Sequence, residues 1–222
     1  MSGFWRIEVE PGAMASAALN RAGAPSGTLL VCAHGAGGRL DDARMIAAAG
    51  ALTAHGLDVL RFNFPYRERG QSRPDPMPRL KATFRAVVDF ARRELAPRRI
   101  MIGGRSMGGR VATMLAADGF ACAGLLLLAY PLHPAGQPDK LRDAHLPKIA
   151  VPVLCFNGTR DTLCRRDLMA QAIAGLDDRW TMHWLEGADH GFKVLKSSGR
   201  TEADVLAEVG AALAAWSARH LP

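Results

Sequence analysis

Hydrophobic and polar residues alternate along Trp5-Arg6-Ile7-Glu8-Val9-Glu10, the period-two pattern of a strand with one face buried. Pro11-Gly12 ends that run as a turn, and Ala15 to Leu19 is expected to return as its hairpin partner. Beyond a loop rich in Gly, Pro and Ser (21–27) the pattern changes. Thr28-Leu29-Leu30-Val31-Cys32-Ala33 is apolar after its first residue, as in a strand covered on both faces. Runs over Leu57–Phe64, Arg99–Ile102, Ala123–Tyr130, Val151–Asn157 and Trp180–Leu185 predict further strands. The intervening stretches read as helices. One opens at Asp41-Asp42 and closes at Gly56, one covers Leu80–Leu95 with Phe84, Val87, Val88 and Ala91 on one face, and others cover Val111–Ala117 and Leu163–Leu176. A last helix follows the capping sequence Thr201-Glu202-Ala203-Asp204 and aligns Val205, Val209, Leu213 and Trp216. Pro65–Pro78 reads as a long polar loop. Strands alternating with helices imply an α/β fold: a mostly parallel sheet, right-handed crossovers and helices on both faces, with residues 1–222 as a single domain.

Composition narrows the classes of function. With 222 residues and 49% hydrophobic content, the chain can bury a large core. The net charge is +7, yet no basic block with interleaved aromatics appears, so no nucleic-acid partner is expected. Cys32, Cys122, Cys155 and Cys164 lack C-x-x-C spacing and read as small buried hydrophobes in a reducing compartment. Met1 to Arg6 has no basic-then-apolar signal segment, and no apolar run is long enough to span a bilayer. A cytoplasmic protein without a membrane partner is therefore expected. No cofactor is implied, and no His, Asp or Glu pair has metal-site spacing.

The chemistry centres on Gly104-Arg105-Ser106-Met107-Gly108, a G-x-S-x-G between a strand-like and a helix-like run. That context predicts a nucleophile elbow, a turn so sharp that its flanking residues must be tiny. The serine hydroxyl then stands at a helix N-terminus, where free N–H groups favour developing negative charge. A serine hydroxyl needs a base, and the base an orienting carboxylate. Asp161 and His190 each follow a predicted strand and complete the chain order Ser, Asp, His. Asp189 competes for the acid role, but as the immediate neighbour of His190 its side chain is expected to point elsewhere. His34 is expected to order the glycine-rich segment His34-Gly35-Ala36-Gly37-Gly38 rather than transfer protons. His55 sits at a helix end, His183 within a strand and His220 in the tail, whereas His133 and His145 lie where they could line a site.

The elbow, the His34–Gly38 loop, Asn157-Gly158-Thr159-Arg160-Asp161 and Ala188-Asp189-His190 together look like the α/β-hydrolase superfamily. Within it the chain resembles small dienelactone-hydrolase-like proteins without a lid domain. Arg61-Phe62-Asn63-Phe64-Pro65-Tyr66, Arg105–Arg110 and Tyr130-Pro131-Leu132-His133-Pro134 bring it closest to a hydrolase-like family whose eukaryotic members include a subunit of a chromatin acetyltransferase complex. The resemblance implies a serine hydrolase of small carboxylic esters or thioesters, with Ser106, Asp161 and His190 as triad. Backbone N–H groups of Ala36 and Met107 would form the oxyanion hole. True dienelactone hydrolases use a cysteine nucleophile, so Ser106 argues against dienelactone as substrate. The competing class is a non-catalytic interaction module built on the same fold. The connection Pro131–Ala150 is too short for a multi-helix lid. The pocket is therefore expected to be shallow, closed in part by the Tyr66–Ser72 loop and the His133–His145 segment. Gly35, Tyr66, Arg67, Arg105 and His133 are the expected substrate-facing residues, and Arg67, Arg69 and Arg105 would make the rim basic.

Overall fold

The apolar runs become strands because each can bury both faces under helices. The computed structural model describes residues 3–176 and 179–221. Among these, eight strands form one sheet: β1 (Phe4–Glu10), β2 (Ala13–Asn20), β3 (Thr28–Ala33), β4 (Asp58–Phe62), β5 (Arg99–Arg105), β6 (Gly124–Leu128), β7 (Val153–Gly158) and β8 (Trp180–Leu185). Their spatial order is β1-β2-β4-β3-β5-β6-β7-β8. β1 and β2 form the expected hairpin, and β2 runs antiparallel to β4. The pairings from β4 to β8 are all parallel, so those strands deliver their carboxyl ends to the same edge.

Six α-helices accompany them among the described residues: α1 (Ala43–Thr53), α2 (Pro65–Glu68), α3 (Met77–Glu94), α4 (Met107–Ala117), α5 (Arg166–Ala172) and α6 (Glu202–His220). β3, apolar after Thr28, still obeys the period-two rule in space. Leu29, Val31 and Ala33 join α3, α4 and α5 in one core, while Leu30 and Cys32 join α1 and α6 in the other. The capping box at the start of α6 forms as its sequence indicates: Asp204 N–H donates to Thr201 Oγ1, and Thr201 N–H donates to Asp204 Oδ2. No helix among the described residues is long and apolar enough to cross a membrane.

Two segments depart from expectation. The Pro65–Pro78 stretch contains the short helix α2, with Pro65 in its first turn and Tyr66 N–H donating to Asp75 Oδ2. The helix expected over Leu163–Leu176 is cut to Arg166–Ala172, since Arg165 is extended at φ −70°, ψ 136°, with its N–H donating to His133 Nε2, while Leu163 N–H donates to Asp161 Oδ1. Between β6 and β7, the connection Pro131–Ala150 holds only a 3₁₀ turn at Leu146–Lys148. The fold carries no lid domain there.

α6 packs on the sheet through Val205, Val209, Leu213 and Trp216, of which Trp216 is fully buried and donates its indole N–H to Thr181 Oγ1 at 3.2 Å. Trp216→Ala should lower the unfolding free energy by about 3–5 kcal/mol in urea titrations. Gly50→Ala should raise it by about 0.5–1 kcal/mol, since Gly50 sits inside α1 with nothing within 4 Å of an added Cβ.

Candidate active site

The elbow forms because three backbones meet with no side chains between them. An added Cβ would lie 2.2 Å from the Ala33 carbonyl oxygen at Gly104 and 2.4 Å from it at Gly108. Only glycine at both positions lets β3, β5 and α4 approach so closely. Ser106 is held at φ 49°, ψ −115° immediately before α4. Its own N–H donates to Leu128 O on β6, and its carbonyl accepts from Arg110 N–H. Such a backbone costs about 1–3 kcal/mol and persists only where the surroundings enforce it.

The three sequence-predicted residues meet at the carboxyl edge of the sheet. Ser106 Oγ lies 2.9 Å from His190 Nε2, and His190 Nδ1 lies 2.8 Å from Asp161 Oδ2 and 3.0 Å from Oδ1. With the carboxylate facing Nδ1, that nitrogen carries the proton and Nε2 accepts from the serine hydroxyl. The Asp161 side chain is fully buried. It also accepts from Leu163 N–H at 2.8 Å and from Asn157 Nδ2 at 3.0 Å. Asn157, fully buried at the end of β7, donates to Tyr130 O and accepts from Tyr130 N–H as well, tying the ends of β6 and β7 to the acid. Sequence reasoning passed over Asn157; the signal was a polar residue closing a fully apolar strand. Asp189 instead accepts from the N–H groups of Gly191 and Lys193, so its carboxylate shapes the turn that presents His190.

The glycine-rich loop after β3 is pinned from beneath. His34 is fully buried, its Nδ1–H donates to Gly35 O at 2.7 Å and its Nε2 accepts from Phe64 N–H at 3.2 Å. The Tyr66 hydroxyl donates to Ala36 O at 2.6 Å. Asn63 Oδ1 accepts from Leu40 N–H, and the buried Arg61 guanidinium donates to Leu40 O and Asn20 Oδ1. The N–H groups of Ala36 and Met107 donate to no acceptor among the described residues. Gly35 abuts the serine, since a Cβ there would lie 3.6 Å from Ser106 Cβ.

A cavity of about 600 Å³ opens over Ser106 and His190, lined also by Gly35–Gly38, Asp42–Met45 and Arg105. A larger concavity of about 840 Å³ over Gly70–Pro76 contains no triad residue. The cavity walls correct part of the expectation. Gly35, Ala36 and Arg105 line it, but Tyr66, Arg67 and His133 do not. Tyr66 lies under the loop it braces, and Arg67 donates to Gln71 O. His133 is buried with both ring nitrogens engaged, by Pro134 O and by Arg165 N–H. His145 faces Thr113 Oγ1 at 2.9 Å inside the fold, and Arg69 is paired with Asp75. The Tyr66–Ser72 loop and the His133–His145 segment thus brace the scaffold, and the first turn of α1, with Arg44, supplies the outer wall.

A family model described as an alpha/beta hydrolase domain matches residues 26–218, and the chain belongs to that family. Among solved structures it is similar to an alpha-beta serine hydrolase homologue from Coxiella burnetii, at 20% identity over 96% of each chain with a TM-score of 0.75. It is also similar to a serine hydrolase without lid from Xanthomonas campestris, at 20% identity over 97% of this chain and 94% of that one, TM-score 0.76. A dienelactone hydrolase from Anabaena variabilis matches at 18% identity over 100% and 99%, TM-score 0.69. At these identities the likeness is one of fold.

The His34 contacts generate a pH prediction. Burial pushes its pKa down from 6.5 to about 4, and the bond from Phe64 N–H requires Nε2 to be unprotonated. Between these values the unfolded chain binds a proton that the folded chain does not, so stability rises with pH across this window. It is fully present above pH 6.5 and lost as pH falls towards 4, by about 3 kcal/mol from this residue. Urea unfolding between pH 7 and 4 should show this slope, and His34→Asn should flatten it.

Proposed function

We propose that this hydrolase is a serine esterase or thioesterase working on small acyl substrates through an acyl-enzyme. The observation that carries this reading is the continuous chain Ser106 Oγ, His190 Nε2, His190 Nδ1 and Asp161 Oδ2, with separations of 2.9 and 2.8 Å. His190 Nε2 takes the serine proton as Oγ attacks the substrate carbonyl carbon. The buried Asp161 carboxylate stabilises the imidazolium and holds its tautomer. The N–H groups of Ala36 and Met107 receive the oxyanion, an interaction worth about 3–4 kcal/mol per donor in a comparable site. Collapse of the tetrahedral adduct breaks the carbonyl–leaving-group bond, and the departing alcohol or thiol takes the proton from His190. Water then repeats the sequence through the same base, freeing the acid and restoring Ser106.

The open cavity and the absence of a lid domain favour short acyl chains. Each methylene left in water forgoes about 0.8 kcal/mol of binding.

Fluorophosphonate should label the protein at Ser106, and Ser106→Ala should lose both labelling and turnover while keeping its thermal melt. Labelling at another serine would refute the assignment, and a soluble, folded protein that never labels would favour the interaction-module alternative. Asp161→Asn should reduce kcat by about 10⁴-fold, as loss of a triad aspartate does elsewhere. Asp189→Asn should cost far less, because its carboxylate meets only backbone amides. Across p-nitrophenyl esters from acetate to palmitate, kcat/KM should fall beyond octanoate; a continued rise would mean a deep acyl tunnel.

A further inference from the structure

The walls of the cavity are chemically lopsided. Two guanidiniums, those of Arg44 and Arg105, flank the nucleophile. They converge on the same peptide: Arg105 Nη2 donates to His190 O at 2.6 Å, and a Cβ on Gly191 would lie 3.6 Å from Arg44 Cζ. Arg105 is further fixed by stacking, its Cζ 4.9 Å from the centroid of the Phe192 ring. Among the described residues neither guanidinium lies within 4.0 Å of a carboxylate oxygen. Arg44 is exposed and makes no hydrogen bond there. Arg105 makes only the one to His190 O; it is largely buried, yet none of its nitrogens is a fully enclosed atom lacking a partner, so its remaining N–H groups keep some access to the cavity.

Three of the nearby carboxylates are hydrogen-bonded to the scaffold, and a fourth, Glu202 at the start of α6, shares a small pocket with Arg44 and Arg105 without an ion pair to either among the described residues. Asp161 serves His190, Asn157 and Leu163 N–H. Asp189 serves Gly191 and Lys193 N–H, and Asp42, on the cavity wall, accepts from Arg39 N–H at 2.8 Å. Two like charges held close together repel each other: after burial, Arg44 is the next cause lowering the Arg105 pKa, while Asp161 and Asp189 act in the opposite sense without pairing with it. An anionic group on a ligand would relieve that repulsion and form charge-assisted hydrogen bonds to planar donors suited to carboxylate geometry.

We infer that Arg44 and Arg105 form an anion-recognition subsite beside Ser106, selecting acyl substrates that carry a carboxylate separate from the scissile ester. This rests on the hydrolase reading above and specifies its substrate class. The probes are monomethyl glutarate, which carries the charge, and methyl pentanoate, its neutral isostere. Turnover is followed by pH-stat on wild type, Arg44→Gln and Arg105→Gln, and binding by NMR titration on the Ser106→Ala background with and without each arginine change. Wild type should favour monomethyl glutarate at least tenfold in kcat/KM, with the preference shrinking as salt rises. Each variant should reduce the ratio at least fivefold; because both probes are measured on one preparation, partial loss of folded protein cancels. Ser106→Ala should bind the anionic probe more tightly than the neutral one, and Ser106→Ala with Arg44→Gln should not. A protein that labels with fluorophosphonate yet shows no charge preference, or one that the arginine changes leave intact, overturns the subsite while the hydrolase reading stands. Absent labelling with arginine-dependent anion binding would overturn the hydrolase reading and keep the subsite.

Discussion

The site depends on one steric constraint, the contact between the Ala33 carbonyl at the end of β3 and the backbones of Gly104 and Gly108. Any Cβ at either glycine would fall within 2.4 Å of that oxygen. The closeness does two things together. It brings the loop after β3 beside Ser106, so that Gly35 abuts the serine, and it turns the chain from β5 into α4 within one strained residue. Ser106 and the loop after β3 are therefore not separately positioned parts. They are two consequences of the same packing, and nothing larger than hydrogen is compatible with it at those glycines.

The remaining groups reach the site by topology. Parallel strands β3, β5, β7 and β8 end on one edge, so the loops that follow them converge although Gly35 and His190 are far apart in sequence. Loops alone would be too soft to hold hydrogen-bond distances, and each is tied by a polar side chain bonded to backbone. His34 and Tyr66 anchor the first loop, Asn157 joins the acid to β6, and Asp189 closes the turn around His190. Preorganisation of this kind lets charge develop without rearrangement of the surroundings.

How much of this was legible in the sequence follows from what period and motif encode. The strands and their alternation with helices show because apolar runs bounded by turn residues are local signals, and the elbow shows because its glycines cannot be replaced. The order of Ser106, Asp161 and His190 could be read for the same reason: each sits at the end of a recognisable strand. The cavity walls could not. Which side chains face it depends on hydrogen bonds between segments distant in sequence, as when His133 reaches Arg165 N–H or Tyr66 reaches the Ala36 carbonyl. Helix α5 was overdrawn on similar grounds, because an apolar period says nothing about the extended backbone at Arg165, whose N–H is held by His133. Arg44 was invisible as a site residue, since an arginine on an amphipathic helix looks like solvated surface until the fold places it over Gly191.

The cysteines bear on why a serine stands at the candidate reactive position. Cys32 lies in β3, next to the strand that carries the elbow, and Cys155 donates to Asn157 Oδ1 beside the acid. A thiolate at either place would be a stronger nucleophile than a serine hydroxyl. Burial forbids it: the Cys32 thiol is pushed up to about 12, and Cys155 is raised well above its usual range by burial first and then by its neighbours Cys164 and Asp161. Only Arg61 and Arg105 oppose the shift at Cys32, and they do not offset desolvation. These sulfurs therefore stay protonated near neutral pH and act as small apolar fillers. In the mechanism proposed, Ser106 needs no shifted pKa of its own, because His190 would take its proton as the bond to substrate forms. In this scaffold the candidate nucleophile would owe its reactivity to the geometry of a half-buried turn, whereas ionisation in the core is suppressed.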